Sequence, residues 1–203
     1  PSDRRTMMQS ADPHTVRPTS CALRTPPFVV GFVGFSGAGK TTLATRVTAI
    51  LAVRGLKVSA LKDAHHGVDL DKPGKDTYRY REAGAAEVIL RTAERYAILV
   101  ETPETVMLDE LLARVRPDAD VVVVEGFKHE GDFPKIELLR GEAADAVVSG
   151  RRAPLYPTDE RIVAVAVDRP FTPVRAGLDV LDANDPQAVA DYCLKLRAER
   201  EAR

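Results

Sequence analysis

Residues 28 to 42 constrain this chain more than any other stretch: an apolar run, FVVGFVGF, passes directly into SGAGKTT. Gly34, Gly39, Lys40 and Thr41 match G-x-x-x-x-G-K-[ST] without a mismatch, and Gly37 adds a third glycine inside the loop. Backbone N–H groups that turn inward around a polyphosphate need conformations and close approaches that a Cβ obstructs, hence glycine. Lys40 supplies a point charge for β- and γ-phosphates, and a hydroxyl at the Thr41 position is the usual Mg²⁺ ligand. Leu43, Val47, Ile50 and Leu51 then fall at helical spacing, and a helix starting near Lys40 aims the positive end of its dipole at the same anion. The stretch predicts a strand, a phosphate-binding loop and a helix, with Ser36, Ala38 and Thr42 completing the loop.

The rest of the chain alternates between the same two kinds of element. Gly55 stands where a helix C-terminus wants it, and LKVSALK (56 to 62) alternates as a second strand. A polar segment follows, with helical composition from Asp76 to Gly84. AEVIL (86 to 90) and YAILV (96 to 100) read as two short strands, a hairpin or a neighbouring pair. Met107, Leu108, Leu111, Leu112 and Val115 predict a helix from about Glu104 to Arg116, ended by Pro117. DVVVVEG (120 to 126) has the pattern of a strand buried on both faces of a parallel sheet. KIELL (135 to 139), RIVAVAVD (161 to 168) and LDVLD (178 to 182) add three strands, residues 141 to 160 read as a polar loop carrying Arg151 and Arg152, and Pro186 starts a last helix.

This alternation predicts an α/β fold of the doubly wound type, with a mostly parallel sheet and an additional β-hairpin, and ligands at the carboxyl ends of its strands. The 203 residues suit one such domain, expected over 28–203. Residues 1–27, with five prolines and scattered charge, are expected to form a flexible leader. A mitochondrial-type address is the alternative there, and Asp3, Asp12 and the prolines oppose it.

Composition excludes other classes. A net charge of −1 gives no global basic field for nucleic acid. No apolar run approaches the roughly 18 to 20 residues of a membrane span, and no secretory pattern opens the sequence. Cys21 and Cys193 are too few and too far apart for a zinc site or a disulfide framework, so a cytoplasmic compartment is expected.

Three further groups carry chemistry. Glu125 closes the valine strand, where phosphate-loop proteins place the acidic residue that holds Mg²⁺ directly or through water; a strand-end carboxylate in solvent is the plainer reading. The Gly126 N–H is expected to approach a γ-phosphate, with Phe127, Lys128 and His129 as a switch-like loop beside it. His65 and His66, near Asp69 and Asp71, have the residue types for a transition metal, for phosphate or partner contacts, or for a surface loop, and their spacing is no recognised zinc pattern. Lys72 and Lys75 flank a Pro-Gly turn beside Asp76, which caps the following helix or holds Mg²⁺ through water; a solvated charged turn accounts for the same residues. Tyr78, Tyr80 and Arg81 read as packing and surface.

Taken together, GFSGAGKTT, KDAHHGVDLDKPGKDTYRYREAGA, ETPE (101 to 104) and VVVVEGFKHE resemble the molybdopterin-guanine dinucleotide biosynthesis protein B family over roughly residues 28 to 195. The resemblance implies a dimeric, GTP-binding, weakly hydrolysing phosphate-loop protein that assists a partner guanylyltransferase joining GMP to molybdopterin, and it leaves molybdopterin itself as a further ligand to consider. By that resemblance Gly37, Gly39, Lys40, Thr41 and Thr42 hold phosphates and Mg²⁺, Glu125 and Gly126 form the second nucleotide motif, and Lys72, Lys75 and Asp76 match the family's loop. Lys40 and Glu125 are the candidate catalytic residues, Thr41 and Glu125 the candidate metal ligands. No N-K-x-D occurs, so guanine falls to Asp168 or to Asp182, Asn184 and Asp185, positions that equally fit plain strand-end turns. No arginine finger is identifiable, which predicts slow turnover. Two other readings remain: a small-molecule kinase with Arg151 and Arg152 on a lid, and a docking module whose nucleotide is structural.

Overall fold

A strand with a valine at four successive positions is stable only where both faces are covered. In the computed structural model, which describes residues 25–64 and 71–202, that strand lies inside a sheet and Val121 to Val124 are each 2% exposed or less. The elements in chain order are β1 (Phe28–Gly34), α1 (Lys40–Val53), β2 (Val58–Lys62), α2 (Asp76–Glu82), β3 (Glu87–Arg91), β4 (Tyr96–Val100), α3 (Leu108–Leu112), β5 (Val121–Glu125), β6 (Lys135–Leu139), α4 (Gly141–Val148), β7 (Ile162–Val167), β8 (Asp179–Asp182) and α5 (Pro186–Glu201).

Six strands form one sheet in the order β2-β5-β1-β6-β7-β8, and every neighbouring pair is parallel. The order reverses at β1, so the crevice at its carboxyl end is the topological switch point where such sheets take ligands. Period-two alternation divides the core. Phe28, Val30, Phe32, Val121 and Val123 pack against Leu43, Val47 and Leu51 of α1 and Val189, Ala190 and Cys193 of α5. On the other face Val122 and Val124 meet Leu108, Leu111 and Leu112, while Val33, Leu139 and Val165 meet Ala144 and Tyr156. Each fully buried valine or leucine contributes about 1.5–3 kcal/mol, which fixes β1 and its loop at the centre. Strands β3 and β4 pair antiparallel in a separate two-stranded ribbon, with α2 against β3.

The doubly wound sheet and the hairpin agree with the sequence expectation, and two elements differ from it. The helix expected over residues 104 to 116 is only Leu108–Leu112, continued by tight turns from Leu111 to Arg114 and from Leu112 to Val115. Those turns keep Val115 on the core with Leu111 and Leu112, so the apolar spacing is real while the helix is short. Its start is set from outside: the Leu108 N–H donates to the Glu130 carboxylate at 2.9 Å. Within residues 141 to 160, expected as loop, α4 forms on Ala143, Ala144 and Ala146, small residues that bury closely but carry a weak hydrophobic signal. The expected leader falls almost wholly outside the described residues; at its end, the Pro27 carbonyl accepts from Arg200 at 3.1 Å. Among the described residues no helix is long and apolar enough to cross a membrane.

Candidate nucleotide site

The loop leaves the sheet at a point that admits only glycine. Gly34 has φ 135°, and a Cβ there would stand 2.7 Å from the Leu138 carbonyl oxygen. Gly37 and Gly39 also have positive φ, 79° and 83°. Helix α1 opens on Gly39 with no side-chain cap and no acidic residue in its first turn, so its N-terminal dipole is directed at the loop. Ala38 is buried beneath. The Lys40 ammonium reaches back across the loop and donates to the Phe35 carbonyl at 2.7 Å. Burial, and then the neighbouring Lys128, hold its pKa below the ordinary lysine value, with Glu125 acting the other way. A cation held among cations invites an anion.

Strand register builds the second half. Phe32 and Lys62 both pair with Glu125, so β2 and β5 end level with the loop. Thr41 Oγ1 donates to Glu125 Oε1 at 2.6 Å, and Lys62 Nζ donates to both oxygens, at 2.8 and 2.7 Å. From the sequence alone Lys62 is only the last residue of a strand. A lysine at a strand's carboxyl end was legible, but the pairing of β2 with β5 that places it on Glu125 was not. These groups line an open cleft of about 530 Å³ with Gly34, Ser36, Gly37, Gly39, Lys40, Thr42, Asp63, Gly126 and Lys128.

Two oxygens cis on an octahedral Mg²⁺ at ~2.1 Å stand about 3.0 Å apart. Thr41 Oγ1 and Glu125 Oε1, hard donors 2.6 Å apart, need only a few tenths of an ångström to meet that, so the pair fits the ion.

Gly126 serves the site through its missing side chain. Its φ is 90°, and a Cβ would lie 2.8 Å from the Asp63 Cβ. Its N–H, expected to approach a γ-phosphate, donates here to the Phe32 carbonyl at 3.2 Å. Phe127, at φ 49°, turns into the core and sends Lys128 back towards the loop, its ammonium 5.9 Å from the Phe35 ring centre. Arg152 stands over the same ring at 5.0 Å, while Arg151 bonds Ser149. His129 is held by its carbonyl, which accepts from Arg161.

Two fully buried charges on β6 pin these segments. Lys135 Nζ donates to the carbonyls of Glu130, Lys128 and Phe127 at 2.7, 3.1 and 3.4 Å. The Glu137 carboxylate accepts from the N–H groups of Leu155 and Tyr156 at 2.8–3.0 Å. Burial lowers the Lys135 pKa and raises that of Glu137.

Other predicted residues lie elsewhere. Lys72, Lys75 and Asp76 are exposed at the head of α2 and line no part of the cleft. Lys75 occupies the N-cap position, with Asp76 in the first turn and no side-chain cap. Behind them Asp71 is buried, accepts from Thr77 at 2.6 Å and pairs with Arg81. His65, His66 and Asp69 lie outside the described residues. Asp168 accepts from the Gly141 N–H and from Arg169; Asp182 accepts from the Asn184 N–H; Asp185 caps α5 by accepting from Ala188. Asn184 Oδ1 accepts from Arg140, whose guanidinium stands 3.5 Å from where a Cβ on Gly39 would lie.

The profile of the family described as molybdopterin guanine dinucleotide synthesis protein B matches residues 29–168, from β1 through β7. The chain belongs to that family. It is 38% identical over 170 residues to the molybdopterin-guanine dinucleotide biosynthesis adapter protein of Escherichia coli K12, covering 82% of this chain and 91% of that one. It is 41% identical over 165 residues to the adapter protein of Haemophilus influenzae, covering 81% and 86%. Among solved structures, Bacillus subtilis MobB superposes with a TM-score of 0.62 at 26% identity, covering 83% of this chain and 96% of that one. A MobB homologue from Bacillus stearothermophilus gives 0.59 at 25%, covering 84% and 98%. The family's matched span contains every residue of the cleft.

Proposed function

We propose that this member of the family binds GTP with Mg²⁺ in the cleft at the end of β1 and acts as an accessory protein in molybdopterin-guanine dinucleotide formation, in one nucleotide-binding unit from residue 28 onward. The observation that carries the reading is the joining of Thr41 to Glu125 beside an uncapped glycine loop holding Lys40. The loop N–H groups and Lys40 bind the phosphates, and Thr41 and Glu125 hold the metal, which supplies charge neutralisation at the transferring phosphoryl group. Lys128, carried on the pinned loop after β5, adds a third cation from the opposite wall. Catalysis on this basis is positioning and electrostatics alone, consistent with slow GTP hydrolysis. The base is proposed to lie beside the Arg140–Asn184 pair, near the strand ends that carry Asp168 and Asp182.

The adapter role rests on the relatives' names, and the partner proposed is the guanylyltransferase that joins GMP to molybdopterin. Homodimerisation is proposed through the hairpin. Ile89, Tyr96, Ile98 and Val100 lie on one face of it by register and are all exposed, an apolar surface that isolated ribbons do not keep in water. Lys72 and Lys75, exposed at the head of α2, are proposed to meet an anionic group on the partner or on molybdopterin. The test is dinucleotide formation by the partner with and without this protein, using GTP and an analogue that the partner accepts but that resists γ-phosphate hydrolysis. Stimulation with GTP is expected; its absence sinks the adapter reading. Arg152 over Phe35 is the observation a kinase lid would use, and phosphoryl transfer to a small acceptor rather than to water would favour that alternative.

A further inference from the structure

The Lys62 ammonium, Thr41 Oγ1 and Glu125 Oε1 form a closed triangle with sides of 2.6, 2.7 and 2.8 Å. The parallel register of β2 and β5 sets Lys62 directly beside Glu125, so adjacent side chains emerge on one face at the mouth of the cleft. These are the same two oxygens whose spacing suits a divalent ion. An ion bonded to both at ~2.1 Å stands no more than about 4 Å from Nζ where it now lies, whichever way it approaches. A divalent and a monovalent cation at that separation repel strongly and draw on the same carboxylate. We propose that Lys62 is a competing cation, whose ammonium and Mg²⁺ contend for Thr41 Oγ1 and Glu125 Oε1 and which thereby sets how strongly nucleotide binding depends on the metal.

The proposal rests on the nucleotide reading above and deepens it. The side chain suits the role. It is a compact point charge on a flexible four-carbon stem, 54% exposed, while its carboxylate partner is 13% exposed. The acceptor is therefore fixed and the cation is mobile. When the metal enters, the ammonium turns into the cleft, which already gathers Lys40 and Lys128 for phosphate oxygens. When the metal is scarce, Lys62 neutralises Glu125 and spares the bound phosphates an unscreened carboxylate beside them. Linkage makes these two effects one factor: whatever Lys62 adds to metal-free nucleotide affinity, relative to metal-bound, it subtracts from the Mg²⁺ affinity of the nucleotide complex relative to that of the free protein.

The experiment is a titration of a fluorescent GTP analogue, in excess EDTA and in Mg²⁺, with wild type, Lys62→Met, Lys62→Gln and Lys40→Ala. Circular dichroism shows which variants are folded, and Lys62→Gln, which keeps length and polarity without charge, serves if the Met variant is not. The ratio of Kd in EDTA to Kd in Mg²⁺ is expected to rise about tenfold in the Lys62 variants, and the Mg²⁺ midpoint at fixed nucleotide to fall by the same factor. A ratio and midpoint within about twofold of wild type would show a structural tie between β2 and β5 and overturn the proposal. If wild type binds the analogue no better than Lys40→Ala in either condition, the nucleotide reading itself fails, and the competition with it.

Discussion

Replacing Lys135 by methionine tests how the loop after β5 is held. Methionine keeps nearly the same length and packing, so the change isolates the ammonium. Three carbonyls lose a donor, at 2.7, 3.1 and 3.4 Å, the last too long to weigh heavily. Each well-made bond lost strands a buried acceptor at about 1–3 kcal/mol, while removing a buried charge returns part of its desolvation penalty. The net expectation is a loss of about 2–4 kcal/mol, measured by urea unfolding at 25 °C with the slope m unchanged. The loop carries Lys128 into the cleft, so nucleotide affinity should fall by more than the stability loss of a remote core substitution would produce. Gly31→Ala provides a cross-check, because its Cβ would stand 2.9 Å from Lys135 Cγ and 3.0 Å from the Phe133 ring. Overpacking of that kind costs about 1–3 kcal/mol, and most of it should vanish in the Lys135→Met background only if the methionine shifts; a double-mutant cycle reads the coupling. A stability loss below about 1 kcal/mol for Lys135→Met, with nucleotide binding intact, would refute the pinning argument.

Three further outcomes follow from named contacts. Gly126→Ala places a Cβ against Asp63 at positive φ, with an expected destabilisation of about 1–3 kcal/mol by thermal unfolding and loss of metal-dependent nucleotide binding. Burial raises the Glu137 pKa in the folded state, so below the ordinary glutamate value its contribution to stability is whole, and it declines as pH rises through the folded value. Glu137→Gln should remove that decline with rising pH in a stability-versus-pH series, and an unchanged slope would contradict the assignment. Ile98→Asp, on the exposed apolar face of the hairpin, should shift the protein to monomer in sedimentation without lowering its unfolding temperature.

The architecture was legible because its signals are local. The glycine loop between an apolar strand and an amphipathic helix, and the valine run, declare themselves without knowledge of what they touch. The hairpin could be read for the same reason. What escaped depends on pairing. Lys62 reaches Glu125 only because β2 lies beside β5, and no spacing along the chain encodes that neighbour. Lys135 and Glu137 looked like ordinary charges on a strand, yet both are fully buried, which only the positions of two distant loops explains. Helix α4 was missed because alanine buries well but signals weakly, and α3 was overextended because tight turns preserve helical apolar spacing. Lys72 and Lys75 stand in the distinctive sequence segment, and the fold sets them at the exposed head of α2 rather than in the cleft.

The β1–α1 loop is proposed to hold the phosphates of a magnesium nucleotide. Equilibrium binding of Mg·GTP to wild type and to Lys40→Ala measures this directly. Removing a charge-assisted contact to phosphate, worth about 1.5–3 kcal/mol, predicts an affinity loss of roughly 10- to 150-fold, with the variant still folded. Equal affinity of the two proteins for Mg·GTP would contradict the central claim.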